Sequence, residues 1–182
     1  MTEPAFTLRA AAQADLPAIV GLIRELAVFE KLEHLVVCTP ESIAPHLFGA
    51  QPAAEVVVAE LPLDGHPQVV GFALFFTNFS TFLGRPGLYL EDLYVKPAQR
   101  GLGIGKALLE HLGALAVERS CGRFEWSVLD WNENAIRFYE RMGATLLPEW
   151  RICRVTGDAL QAFAGRAASG SSLRRPGQSA PG

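Results

Sequence analysis

The chain has 182 residues, of which 49% are hydrophobic and 19% are charged. These values are typical of a globular protein of about one domain, and they exclude collagen-like, coiled-coil and low-complexity structures. No apolar run approaches the roughly 18 residues that a membrane span needs, and the first residues lack the basic and apolar segments of a signal peptide. We therefore expect a soluble, cytoplasmic protein with no membrane partner.

Charge is distributed unevenly along the chain. The last 18 residues, 165–182, contain three arginines and no acid, and 13 of them are Gly, Ser, Ala or Pro. This composition predicts a disordered tail over 165–182, after a single domain over 5–164. Residues 1–164 hold all 19 acidic residues and 13 of the 16 basic ones, so the net charge of the chain before the tail is −6. An acidic domain argues against nucleic acid as a partner and favours a cationic one.

The first half of the chain predicts two helices and three strands. Alternating apolar residues indicate a strand over 6–9, and Asp15 can cap a helix whose apolar positions follow a period of 3.6 residues. Thr39 is typical of a second, short helix start, with Pro40 in its first turn. Two β-rich runs, 55–61 and 68–77, are separated by residues typical of a hairpin turn.

The second half predicts further strands with helices between them. The expected elements are a strand over 88–95, a helix over 104–118, a strand over 124–129, a helix that starts at a capping box of Asp130 and Glu133 and ends at Gly143, a strand over 150–155 and a short helical turn over 158–164. Several strands precede the later helices along the chain. This order indicates an α/β fold of the α+β type, with a mixed sheet. A regularly alternating doubly wound fold is not indicated.

A glycine-rich turn precedes the helix over 104–118. It reads Arg100-Gly101-Leu102-Gly103-Ile104-Gly105-Lys106. Glycines allow close approach of a ligand to the main chain, and the first amides of a helix have no acceptor within it, so the turn is suited to a pyrophosphate. Neither a P-loop nor a dinucleotide-binding pattern fits, because Arg100, Lys106 and Ala107 occupy positions where those motifs require other residues.

Two motifs in this order resemble the GCN5-related N-acetyltransferases (GNAT). They are Arg100-x-x-Gly103-x-Gly105 and Asn132-x-x-Ala135-x-x-x-Tyr139-x-x-x-Gly143. The likeness is closer to the diamine (spermidine/spermine) and thialysine acetyltransferase branch, through Leu88-Tyr89-Leu90-Glu91-Asp92-Leu93-Tyr94-Val95, Trp131-Asn132-Glu133 and Glu149-Trp150-Arg151. It extends from Leu26 to about Leu160.

The resemblance implies a single-domain GNAT acyl-CoA N-acyltransferase fold and a homodimer. The implied reaction is direct transfer of an acetyl group from acetyl-CoA to a primary amine in a ternary complex. Glu91 would remove the proton of the amine, and Tyr139 would protonate the leaving thiolate. Regular strand alternation would direct Glu91 and Asp92 to opposite faces, so we expect Asp92 to contact the amine by charge.

The remaining site residues divide between the two substrates. The cofactor-binding set is Leu93, Tyr94 and Val95 with Asn132 and Ala135 for the pantetheine arm, and Arg100, Gly101, Leu102, Gly103, Ile104, Gly105 and Lys106 around the pyrophosphate. The amine-binding set is Phe29, Glu30, Glu33, Ser80, Asp92, Glu149 and Trp150. Ser80 stands where polyamine-acetylating members carry an acid, so a thialysine-like amino acid or short diamine is favoured over spermidine.

Other activities remain as alternatives. Acetylation of a polyamine, a peptide or an antibiotic amine would change the acceptor, and a CoA-sensing regulatory module would lack turnover. The three cysteines and four histidines lack the spacing of a zinc site, so we expect no metal and no thiol nucleophile.

Overall fold

The computed structural model describes residues 6–170, and side chains from 6 to 166. The strands are β1 (Thr7–Ala10), β2 (Glu55–Leu63), β3 (His66–Ser80), β4 (Arg85–Val95) and β5 (Phe124–Trp126). The helices are α1 (Leu16–Glu30), α2 (Pro40–Phe48), α3 (Ile104–Glu118), α4 (Glu133–Arg141) and α5 (Gly157–Gly170).

The five strands form one mixed sheet in the order β1-β2-β3-β4-β5. The first four strands pair antiparallel, and β5 pairs parallel to β4. The predicted hairpin between β2 and β3 is confirmed in a tighter form, since its loop is only Asp64-Gly65 with φ of 51° and 80°. Positive φ at both central residues matches the right-handed twist of the paired strands.

Two helices cover the two faces of the sheet centre. Phe72 and Tyr94 lie in a buried cluster with Ile19 and Leu22 of α1. Gly71 and Val95, one position away on the same two strands, lie beside Ile104 of α3. Because successive side chains of a strand point to opposite faces, α1 and α3 pack on opposite sides of β3 and β4.

The start of α1 differs from its prediction. Asp15 precedes the helix, but its carboxylate does not cap it. It accepts hydrogen bonds from both guanidinium nitrogens of Arg9, at 2.7 and 2.9 Å, and from the amide of Ala12. The Arg9 guanidinium holds the pKa of Asp15 below its usual value. The carboxylate therefore ties β1 to the start of α1.

Three predicted elements in the second half were wrong in extent or kind. The strand predicted over 124–129 ends at Trp126. The helix α4 is capped by Asn132, whose Oδ1 accepts a hydrogen bond from the Ala135 amide at 3.2 Å. The predicted capping box at Asp130 was therefore wrong. Residues 150–155 form no strand, because the described part of their compact unit offers no second strand for pairing.

The chain forms two compact units, the first ending at Phe138 and the second beginning at Tyr139. The helix α5 continues to Gly170 and so includes residues 165–170, the first six residues of the predicted tail. Residues 171–182, the rest of the predicted disordered tail, lie outside the described residues. The single domain over 5–164 remains a prediction.

Candidate active site

A β-bulge interrupts β4 at Glu91. On β3, Phe75 pairs with Leu90 and the adjacent Leu74 pairs with Asp92, so Glu91 has no opposite residue. Glu91 is exposed and Asp92 is partly buried. A bulge bends a strand and disrupts the alternation of its side chains. The expectation that Glu91 and Asp92 face opposite sides, which assumed a regular strand, therefore does not apply at this point.

The edge of β4 opens immediately after the bulge. Pairing with β5 ends at Leu90 and Trp126, so residues 91–95 of β4 have no neighbouring strand on that side within the described chain. Unpaired main-chain amides and carbonyls can bind an extended ligand in the way that a strand would. One carbonyl is already used, since Arg100 Nε donates to the oxygen of Val95 at 3.0 Å.

The glycine turn leads from this edge into α3. Gly101 and Gly103 have φ of 85° and 84°, a region that favours glycine. Gly103 is the N-cap of α3, no side chain caps the helix, and a Cβ built on Gly103 meets nothing within 4 Å. The amides of Ile104, Gly105 and Lys106 belong to the first turn of α3, at the positive end of the helix dipole, where they have no acceptor within the helix. This arrangement fits the pyrophosphate of acetyl-CoA.

We predict that Gly103→Val raises the KM for acetyl-CoA at least tenfold with little change in the KM for the amine. Valine is strained at a φ of 84°, and its side chain would occupy the space above the turn. The matched control is Gly65→Val, at φ 80° with equally open surroundings in the β2–β3 hairpin. Steady-state kinetics of both variants check this. Equal increases in both KM values for Gly103→Val would contradict a cofactor-specific role.

Three carboxylates lie close together beside the open edge. Burial, together with the charges of Glu91 and Glu30, raises the pKa of Asp92 to about 6. Burial also raises the pKa of Glu30, at the end of α1. A cation bound among these groups would stabilise their ionised forms by charge attraction and so offset the burial and repulsion that raise these pKa values. The site is therefore suited to an ammonium group.

Phe29 connects the segments around this site. Its ring lies 5.4 Å from the Arg100 guanidinium carbon and 5.9 Å from the ring centre of Trp131. The Arg100 carbon also lies 5.6 Å from the ring of Tyr94. The end of α1, the strand β4 and the loops before α3 and α4 therefore meet at Phe29.

Tyr94 contributes to the core through its side chain. The ring is 5% exposed, and its hydroxyl donates to Glu25 Oε2 of α1 at 3.3 Å. Only the main chain of Tyr94 is thus placed to face a ligand at the edge of β4. The side chain of Asn132 is likewise engaged, since its carbonyl caps α4 next to Ala135.

Several predicted site residues lie away from this group. Ser80 is 4% exposed, and its hydroxyl accepts from the Leu83 amide at 3.3 Å in the β3–β4 turn. Ser80 lies six residues along β3 from Leu74, the residue that pairs with Asp92. At strand spacing this separation is about 20 Å. Glu33 is exposed in the short turn after α1.

The other predicted residues belong to the second unit. Tyr139 is partly buried in the last turn of α4, and its carbonyl accepts from the amides of Met142 and Ala144 at 3.0 Å each. Glu149 and Trp150 are exposed in the segment after α4.

Two contacts of this site were not predicted from the sequence. Trp131 had no predicted role and Arg100 was predicted only at the pyrophosphate, whereas both side chains lie against Phe29. The only signal was the position of Trp131 beside Asn132 in a motif. Within residues 6–170, no group of three or more His, Cys, Asp or Glu is arranged to hold a metal ion. None of the helices described is long and apolar enough to cross a membrane.

The chain is similar in sequence and fold to known proteins. Residues 23–144 match the Acetyltransferase (GNAT) family. The chain is 38% identical to an L-ornithine N5-acetyltransferase of Arabidopsis thaliana, over 86% of both chains. It is 40% identical to a thialysine N-epsilon-acetyltransferase of Mus musculus, over 87% of this chain and 97% of the relative.

The solved structure of an integron cassette protein of V. cholerae is similar to this chain, with a TM-score of 0.72 and 26% sequence identity. The match covers 88% of this chain and 98% of the V. cholerae chain. The chain belongs to the GNAT acetyltransferase family. It is an N-acetyltransferase of the fold predicted above, and the family uses acetyl-CoA as its co-substrate. The alternative of a regulatory module without turnover is thereby replaced by an enzyme.

Proposed function

We propose that this enzyme transfers the acetyl group of acetyl-CoA to a small primary amine, either a thialysine-like amino acid or a short diamine. The observation that carries this proposal is the partly buried Asp92 at the open edge of β4, within reach of the charges of Glu91 and Glu30. A compact acidic site favours a small cationic acceptor. Two relatives are named for acetylation of ornithine and of thialysine. These names support an amino acid with a terminal amine as the acceptor.

Proton removal limits the reaction of such an acceptor. An alkylamine has a pKa near 10.4, so at neutral pH about one molecule in a thousand is nucleophilic, a handicap of about 4 kcal/mol. Glu91 is exposed at the bulge and available to water, so it serves as the base through a water molecule. Asp92, the more buried acid, holds the positive charge of the acceptor before transfer.

The donor occupies the opening beside β4. The main chain of Leu93, Tyr94 and Val95 binds the pantetheine arm, with Asn132 and Ala135 at the start of α4 beside it. The amides from Gly101 to Lys106 bind the pyrophosphate, with Arg100 and Leu102 at its margin. Tyr139 donates its phenolic proton to the thiolate of coenzyme A, because a group of pKa near 10 can protonate a thiolate without a large mismatch.

The setting of the reaction is also part of the proposal. The enzyme works as a cytoplasmic homodimer, requires no metal, and binds neither nucleic acid nor membranes. Glu33, Ser80, Glu149 and Trp150 contribute to acceptor recognition. Ser80 acts only indirectly in its own chain, through the β3–β4 turn that its hydroxyl stabilises.

An acceptor panel tests the proposed function. The purified full chain is mixed with acetyl-CoA and one amine at a time, and release of the coenzyme A thiol is measured at a fixed ionic strength. We expect thialysine, ornithine or putrescine to exceed spermidine, an aminoglycoside and a lysine-containing peptide in kcat/KM by at least fivefold. Mass spectrometry of the product identifies a single acetyl group on the terminal amine. Preference for spermidine or for the peptide would overturn the proposed acceptor class.

A further inference from the structure

We propose that Trp131, together with Phe29, forms an apolar wall against which the carbon chain of the acceptor lies, so that Trp131 determines acceptor chain length. This inference rests on the proposed function and extends it to a residue that the two motifs do not assign to the acceptor. The two rings contact each other at 5.9 Å with a tilt of 48°. Trp131 is 50% exposed and Phe29 is 40% exposed, so much of the apolar surface of the pair is open.

The path of the chain places this pair at the opening beside β4. The ladder between β4 and β5 ends at Trp126, and five residues later Trp131 reaches the end of α1. The segment 127–131 therefore passes from the edge of the sheet to α1, next to the unpaired part of β4. A tight turn fixes its end, since the Asn132 amide donates to the Leu129 carbonyl at 2.9 Å and that of Glu133 donates to the Trp131 carbonyl at 3.0 Å.

The acidic group and the aromatic pair meet at the end of α1. Glu30 follows Phe29 in α1, and the charge of Glu30 acts on Asp92 of β4. The Arg100 guanidinium carbon lies 5.4 Å from the Phe29 ring and 5.6 Å from the ring of Tyr94, which is two residues from Asp92 on β4. The carbon chain of an amine held at Asp92 can thus reach the Phe29 ring. The exposed surface of the pair is therefore available to methylene groups, and its area limits how many can be covered.

A homologous series of acceptors measures this wall. Values of kcat/KM are determined for n-propylamine, n-butylamine, n-pentylamine and n-hexylamine at saturating acetyl-CoA. Complete burial of a methylene group raises kcat/KM by at most about fourfold. Contact with one wall therefore predicts about a twofold gain in kcat/KM per methylene over the first members of the series. We expect Trp131→Ala to reduce this gain to less than about 1.3-fold per methylene. Trp131→Phe, which retains an aromatic ring beside Phe29, restores most of it.

Controls separate this role from general damage. Phe82→Ala removes a ring that is 97% exposed in the β3–β4 turn, far along the sheet from Asp92, and we expect it to retain the wild-type gain. The dissociation constant of coenzyme A, measured by calorimetry, should stay within twofold in Trp131→Ala, and circular dichroism reports whether the variant folds. If Trp131→Ala does not fold, Trp131→Leu and Trp131→Phe provide the same comparison.

Two failures are distinguishable. A wild-type enzyme that acetylates none of the amines, including thialysine and putrescine, contradicts the proposed function. A wild-type enzyme that is active but shows no gain along the series, or a Trp131→Ala variant that keeps the wild-type gain, overturns the role of Trp131 alone.

Discussion

Tyr139→Phe should lower kcat by about 10²-fold or more while leaving the affinity for acetyl-CoA within twofold. The loss of one hydroxyl removes the proposed general acid, and general acid catalysis typically contributes 10²- to 10⁴-fold. The rest of the side chain is retained, so the packing of this partly buried residue in α4 should persist. Steady-state kinetics at saturating thialysine or putrescine, with calorimetric titration of coenzyme A, check both expectations.

Tyr89→Phe is the matched control for this prediction. It also deletes only a phenolic hydroxyl, which in the wild type lies 2.8 Å from Ser127 Oγ. We expect kcat of this variant to stay within about threefold of the wild type. If Tyr139→Phe has an equally small effect, Tyr139 is a packing residue and another group protonates the thiolate.

Asp92→Asn should lower kcat/KM for the amine by about 10- to 100-fold at pH 7.5 and should alter its dependence on pH. A lost contact between charges in a partly buried site is worth about 1 to 3 kcal/mol. In the wild type, the pKa of Asp92 is raised to about 6, so the carboxylate is ionised above this pH and protonated below it. We therefore expect kcat/KM to fall about tenfold per pH unit below pH 6, and Asp92→Asn to lose this decline.

Stability provides a second measurement for Asp92 that does not depend on turnover. Its pKa is raised in the folded protein, so between about pH 4 and pH 6 the folded state binds more protons than the unfolded state. The contribution of Asp92 to stability therefore decreases as pH rises through this range, and then stays constant. Thermal unfolding of Asp92→Asn should lack this decrease relative to the wild type.

Glu91→Gln is the companion variant, and we expect it to lower kcat more than KM.

If kcat/KM of Asp92→Asn still declines below pH 6 as in the wild type, the assignment of this decline to Asp92 is contradicted. In that case the titration belongs to another group, and Glu91→Gln tests the nearest one. Loss of this decline in both variants would indicate that it depends on the repulsion between the two acids, because the charge of Glu91 contributes to the raised pKa of Asp92.

Local sequence signals predicted most of the fold correctly. Asp64-Gly65 specifies a hairpin turn by itself, because both residues tolerate positive φ, and the capping pair of Thr39 and Ser42 starts α2. The glycine turn before α3 was predictable for the same reason, since its conformations at Gly101 and Gly103 depend on the residues that occupy them.

Features that depend on two distant segments could not be predicted in this way. The bulge at Glu91 is a property of the register between β3 and β4, and no residue type in β4 marks it. The segment 150–155 was predicted as a strand from its own residues, yet a strand also needs a hydrogen-bonding neighbour. The contact between Phe29 and Trp131 joins residues on different elements, so it becomes visible only after α1 and β5 are placed. The raised pKa of Asp92 follows from the same convergence.

The short ladder between β4 and β5 has a consequence for the motions of the enzyme. Only Leu88, Tyr89 and Leu90 pair with β5, whereas β3 pairs with β4 along ten positions. Segments with few main-chain bonds open at lower free energy than the rest of a domain. β5 is thus the strand of this sheet that detaches most readily from β4. Because the segment carrying Trp131 and Asn132 follows it directly, we expect local opening at this edge to displace that segment while the antiparallel strands stay folded.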